Sequence, residues 1–212
     1  MNTIQTIFNR KSIRQFTDES VPKEDIIKML EAAVQAPSPK HQQNWNFVVV
    51  TNKELINEIA DIVTKRHEEL GEIATTEKDK KIHMSVINYY TCFKNAPVLV
   101  IVYASEYKMI ELKILKDNNA PQEVLDMLVS PQSAAQAIGA SVQNFLLAAT
   151  EMGYATCYMT GPTHAKADIE KAVGFENDKY ELMSMIALGV GKEDTPNKPP
   201  RRELSDVVTF ID

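Results

Sequence analysis

The chain of 212 residues is poor in glycine, with only seven, and has two cysteines and one tryptophan. So little glycine leaves no G-x-x-x-x-G-K-[ST] phosphate loop. Gly189-Val190-Gly191 lacks a third glycine, and the proline-rich residues 196–200 stand where a pyrophosphate-binding helix would begin, so no dinucleotide fingerprint is present. Cys92 and Cys157 lie far apart without a C-x-x-C, which argues against zinc ribbons and disulfide frameworks and suits a reducing compartment. Neither has a histidine nearby in sequence, and no G-x-S-x-G elbow occurs. His41, His67, His83 and His164 show no H-x-x-x-H spacing with carboxylates, so no metal is expected. The longest apolar run, Ala96 to Ala104, is too short to cross a bilayer as a helix. The first residues show neither an apolar stretch nor a cleavage site of the secretory kind, so a cytoplasmic location is expected. Twenty-three basic against twenty-nine acidic side chains give a net charge of −6, and the basic ones are scattered. General binding to nucleic acid is not expected on that balance.

Helical and extended patterns alternate along the rest. Ile4, Ile7 and Phe8 have helical spacing; Ile26, Leu30, Ala33 and Val34 repeat it behind Pro22 and must stop before Pro37-Ser38-Pro39. Phe47 to Val50 and Pro97 to Tyr103 read as buried strands. Thr51 with Glu54 has capping-box spacing for a helix carrying Leu55, Ile56, Ile59, Ile62 and Val63 on one face. Residues 64–95 are charge-rich and helical in composition, and residues 105–126 read as a mobile, solvated excursion broken at Asp117-Asn118-Asn119. Met127 to Thr150 has no charged residue but a heavy load of Gln, Ser and Asn, which suits a buried helix over 131–152 ending at Gly153. Ala155 to Met159 and Leu182 to Val190 are further strands, Thr163 is placed to cap a helix that Gly174 ends, and Val207 to Ile211 is a last extended piece. No linker interrupts this order, so residues 1–212 are expected to form one mixed domain of helices packed on a sheet.

The chemistry-bearing residues suit an anionic, planar ligand. Arg10, Ser12 and Arg14 alternate on an extended piece, so two guanidinium forks and a hydroxyl point one way. Ala36 to Phe47 holds Trp45 among many hydrogen-bonding side chains, and Arg201-Arg202 follow a stiff Pro199-Pro200 pair. Each of these is an ordinary surface feature when taken alone.

Taken in order, they are not. Arg10-x-Ser12-x-Arg14-x-Phe16, then Ala36-Pro37-Ser38-x-x-His41-x-Gln43-x-Trp45-x-Phe47, resembles the opening of the FMN-dependent nitroreductase family. Gln143 to Ala149 with Gly153, then Met159-Thr160-Gly161, and finally Pro200-Arg201-Arg202 before Leu204 are similar to its later motifs, so the likeness runs from residue 2 to 211. The family more often has Asn at the place of His41 and Pro at that of Asn44. The resemblance implies an α+β fold: a three-layer sandwich with a central, mostly antiparallel sheet flanked by helices, in a homodimer with FMN at the interface. It assigns Arg10, Lys11, Ser12 and Arg14 to the phosphate and ribityl chain, with Arg201 or Arg202 closing on the same phosphate. Pro37, Ser38 and His41 would reach the flavin of the partner subunit, Thr160 and Gly161 would offer N–H groups to its N5 and O4 edge, and Asn88 would contact its pyrimidine ring. The implied activity is hydride transfer from NAD(P)H through the flavin to a small electron acceptor such as a nitroaromatic or quinone, with residues 64–126 shaping the acceptor site. A non-turnover flavin carrier, or the same fold doing dehalogenation or oxygen chemistry, is the alternative. No side chain is expected to be indispensable to the chemical step, because hydride passes directly between stacked rings. No membrane or nucleic-acid partner is expected.

Overall fold

The computed structural model describes residues 2–192 and 199–211. Four strands form the sheet: β1 (Trp45–Val50), β2 (Val98–Ser105), β3 (Ala155–Met159) and β4 (Tyr180–Gly189), in the order β1-β2-β4-β3. All three pairings are antiparallel. β2 is buried on both faces, as its unbroken Val-Leu-Val-Ile-Val run requires.

Alternation along β2 divides the core in two. Val98, Val100 and Val102, with Ile186 and Leu188 of β4, face a layer made by α2 (Lys23–Ala33) and α8 (Ser133–Glu151). Leu99, Ile101 and Tyr103, with Met185 and Ala187, face α3 (Lys53–Gly71) and α9 (Lys166–Ala172). Ile56, Ile59 and Val63 of α3 are wholly buried there. The result is the expected three-layer α+β sandwich. Among the described residues the other α-helices are α1 (Thr3–Asn9), α4 (Glu77–Met84), α5 (Ile87–Tyr90), α6 (Ile110–Asp117) and α7 (Gln122–Val129).

The amide load of the uncharged helix has a structural use. Ser141 Oγ donates to Ala33 O at 2.9 Å and Asn144 Nδ2 to Ala32 O at 3.2 Å. Both carbonyls belong to the last turn of α2, where a helix has no further N–H donors of its own to satisfy them.

Several local expectations need correction. The N-cap of α3 is Asn52, whose side chain accepts from Leu55 N at 2.8 Å, rather than Thr51. Thr163 does not cap α9; it lies inside a 3-10 turn, Gly161–Ala165, and its hydroxyl returns to Thr160 O. Residues 105–126 are not simply a solvated excursion but carry α6 and most of α7, separated by the expected break, where Asn119 takes φ +56°. Residues 207–211 join no strand; a short 3-10 turn, Leu204–Asp206, precedes them. Residues 196–198 of the proline-rich tail lie outside the described residues. Among the described residues no helix is long and apolar enough to cross a membrane.

Candidate active site

The segment after α1 runs along the β3 edge of the sheet. Ser12 bridges Thr156 in parallel, with Ile13 N donating to Thr156 O at 2.8 Å. Phe16 then bridges Gly191, which ties the segment to the chain leaving β4. The pairing is parallel only at Ser12: Phe16 beside Gly191 lies past the Ala155 end of β3, since Ala155 pairs with Gly189. Arg10 is half-buried, while Ser12 and Arg14 are exposed. Among the described residues neither guanidinium pairs with a carboxylate, although the chain has six more acidic than basic side chains.

The α5 helix closes this region. The Arg14 guanidinium sits 5.2 Å from the centroid of the Tyr89 ring, a cation–π arrangement. Tyr90 lies so close to Gly161 that any Cβ there would overlap its ring, which explains glycine at this position. Asn88, exposed beside Tyr89, is thereby placed at the same edge. Gly161 also opens a 3-10 turn, and the first N–H groups of a helix have no acceptor within it.

Behind Arg14 lie three sulfurs. Cys92 Sγ is 3.4 Å from Met159 Sδ, and Cys157 shares the same face of β3 two residues earlier. Both cysteines are free and buried. The hydrogen bond to Cys157, together with burial, pushes the Cys92 thiol well above its ordinary range, so it stays protonated and unreactive.

Pro37, Ser38 and His41 are elsewhere. They lie in the loop entering β1, at the opposite edge of the sheet. Three inter-strand spacings put that edge about 14 Å from β3. This loop is strained: Lys40, His41 and Gln43 take φ of 51°, 52° and 46°, a region that residues other than glycine visit at a cost. Tertiary bonds hold it. Gln43 N donates to Ser38 Oγ at 2.7 Å, Gln42 exchanges bonds of 2.7 and 2.9 Å with Lys108 O and N, and Lys40 pairs with Glu111 at 2.8 Å. No glycine marks these positions in sequence, so the strain had no visible signal.

Arg201 and Arg202 are exposed in the tail, bonded locally to Pro199 O and Asp206 O. One chain thus brings Arg10, Ser12, Arg14, Asn88, Thr160 and Gly161 to one edge. Pro37, Ser38 and His41 go to the other.

The Nitroreductase family model matches residues 7–190. This chain belongs to the nitroreductase family. A BluB-like flavoprotein from Clostridium difficile 630 is 36% identical, with a TM-score of 0.92 and complete coverage of both chains. A nitroreductase with bound FMN from Desulfitobacterium hafniense DCB-2 is 25% identical at a TM-score of 0.71, again over the whole of both chains. Iodotyrosine deiodinase of Thermotoga neapolitana is 28% identical over 92% of this chain and 91% of its own.

Proposed function

We propose that the protein is an FMN-dependent oxidoreductase, built as one domain over residues 1–212 and working in the cytoplasm as a homodimer. The observation that carries this is the row of Arg10, Ser12 and Arg14 on the β3 edge, whose guanidinium groups pair with no carboxylate among the described residues, with Arg14 joined through Tyr89 and Tyr90 of α5 to the Gly161 turn. That donor set fits FMN. A phosphate of about −2 charge needs local cations in an acidic protein, and guanidinium forks match its oxygens. Arg10, Lys11, Ser12 and Arg14 hold the phosphate and ribityl chain. The Thr160 and Gly161 N–H groups serve the N5 and O4 edge, and Asn88 the pyrimidine.

The opposite placement of Pro37, Ser38 and His41 favours their acting on the flavin of the partner subunit, with Arg201 or Arg202 closing on a phosphate. The exposed Ile4, Ile7, Phe8, Val207, Phe210 and Ile211 of a single chain also favour a dimer, which would cover apolar surface. When bound, FMN supplies the means to take hydride from NAD(P)H and pass electrons to a small oxidant such as a nitroaromatic or quinone. The chain's own task is orientation: it holds donor and acceptor stacked, with no side chain acting as nucleophile or general base. Residues 64–126 select the acceptor, since α5 lies at the site.

The test is the absorption spectrum of the purified protein before and after anaerobic NADH or NADPH, with the released cofactor identified after denaturation. FMN that bleaches on mixing and is reoxidised by quinone is the expected result. A colourless protein that fails to bind FMN at micromolar concentration overturns the proposal. FMN that never bleaches points to a non-catalytic carrier. The deiodinase relative favours one second reading, reductive dehalogenation, which release of iodide from 3-iodotyrosine by the reduced protein would distinguish.

A further inference from the structure

Three histidines and a tyrosine meet behind the Gly161 turn, in a part of the chain that the proposed chemistry does not use. His67 of α3 is 3% exposed. Its Nε2 lies 2.9 Å from His83 O, and His83 Nε2 of α4 lies 2.8 Å from His67 O. A carbonyl only accepts, so each ring carries its proton on Nε2 and donates to the other's backbone. The rings are stacked, 3.8 Å between centroids and 12° from parallel. Tyr90 of α5 meets His67 edge-on at 5.4 Å, and His164 of the 161–165 turn lies 5.4 Å from it on another side. His164 Nδ1 in turn lies 2.6 Å from Gly161 O. Among the described residues no group of three or more His, Cys, Asp and Glu could hold a metal ion.

We infer that the stacked His67–His83 pair is a positioning device: with both rings neutral it clasps α4 and α5 against α3, and acid releases them. The groups facing His67 are His83, Tyr90 and His164, and none of the three imidazoles pairs with a carboxylate among the described residues. A proton added to His67 therefore meets a second imidazole at stacking distance and no counter-charge among the described residues. Burial, with His83 and His164 alongside, holds His67 below the ordinary histidine range. The sign follows. The folded clasp binds fewer protons than the opened one, so closure is complete above the ordinary value near 6.5 and weakens as pH falls through it. Opening α4 and α5 would withdraw Tyr89 from Arg14 and Tyr90 from Gly161. That consequence for the ligand rests on the FMN reading; the clasp itself does not.

Amide hydrogen exchange of the purified chain, corrected for intrinsic rate, tests it at about pH 7.5 and about pH 5.5. A His67 ring that titrates freely only in the open state raises the opening equilibrium by up to about tenfold over that interval. Peptides covering residues 77–90 should therefore lose protection by up to about tenfold, while those covering 133–151 stay unchanged. His67→Gln retains an N–H donor that cannot titrate, so it should keep protection at the higher pH and abolish the step. A step under about threefold overturns the inference, as does a step that persists in His67→Gln or one shared by 133–151. FMN affinity read by flavin fluorescence should show the same step in the wild type and lose it in His67→Gln. An exchange step in a protein that binds no FMN would sink the cofactor reading and leave the clasp standing.

Discussion

The two edges of the sheet are built on opposite principles. At β3, residues 12–17 lie in relaxed, extended backbone stitched to Thr156 and Val190, and they present charge. At β1, residues 39–43 are bent into the left-handed region three times without glycine and present polar, uncharged atoms apart from Lys40. An edge that binds by charge needs only a straight ruler for its side chains. One that must place backbone and small side chains against a ring needs a specific bend, which the surrounding structure has to hold. About 14 Å of sheet lies between them.

The sharpest test of this contrast is Arg14→Ala. It should weaken FMN binding by about 1.5–3 kcal/mol, the size of a charged hydrogen bond, or about 10- to 150-fold. Titration of the apoprotein measures it, and an unchanged dissociation constant would remove Arg14 from the phosphate. Gln42→Ala attacks the other edge by cutting both bonds to Lys108. Two ordinary hydrogen bonds at about 0.5–1.5 kcal/mol each should cost about 1–3 kcal/mol, partly as lost stability and partly as a smaller loss of FMN affinity.

Combining them tests the geometry. If each flavin is held by the β3 edge of one subunit and the β1 edge of the other, a mixed dimer of Arg14→Ala and Gln42→Ala chains has one undamaged site and one doubly damaged. Biphasic titration with half the sites near native affinity is the expected outcome; two singly damaged sites, each matching one of the parent variants and neither near native affinity, would place both edges on the same ligand within one chain. The smallest effect should come from Asn52→Ala, which touches neither edge. Losing that N-cap should cost about 1 kcal/mol, seen as a fall of about 2–4 °C in Tm for a chain of this size, with FMN affinity unaltered.

What could be read in advance follows the same division. β2 and α8 were legible because periodicity and composition there are dictated by burial: β2 has no polar group but the Tyr103 hydroxyl before Ser105, and α8 has no charge before Glu151. Arg10, Ser12 and Arg14 were legible because alternation along extended backbone needs no tertiary information. The β1 loop was legible only through family resemblance, since no residue type announces φ near +50° at Lys40, His41 and Gln43. Asn52 took the cap from Thr51 because the two compete for adjacent registers, and only the entry angle from β1 decides between them. The His67–His83 pair was hidden for another reason. Its partners stand 16 residues apart on two helices, a spacing without meaning until the helices are packed.

The N-terminal segment has one more consequence. β3 is a border strand, and a border with bare N–H and C=O groups invites pairing with other molecules. Residues 12 and 13 cover part of that border through the Thr156 bridge. The stretch proposed to grip the ligand is thus also the guard against sheet-to-sheet accretion. Colloidal behaviour is then tied to occupancy: each ligand that fastens Arg10 and Arg14 also fastens the guard, and a protein stripped of it should be the more adhesive of the two.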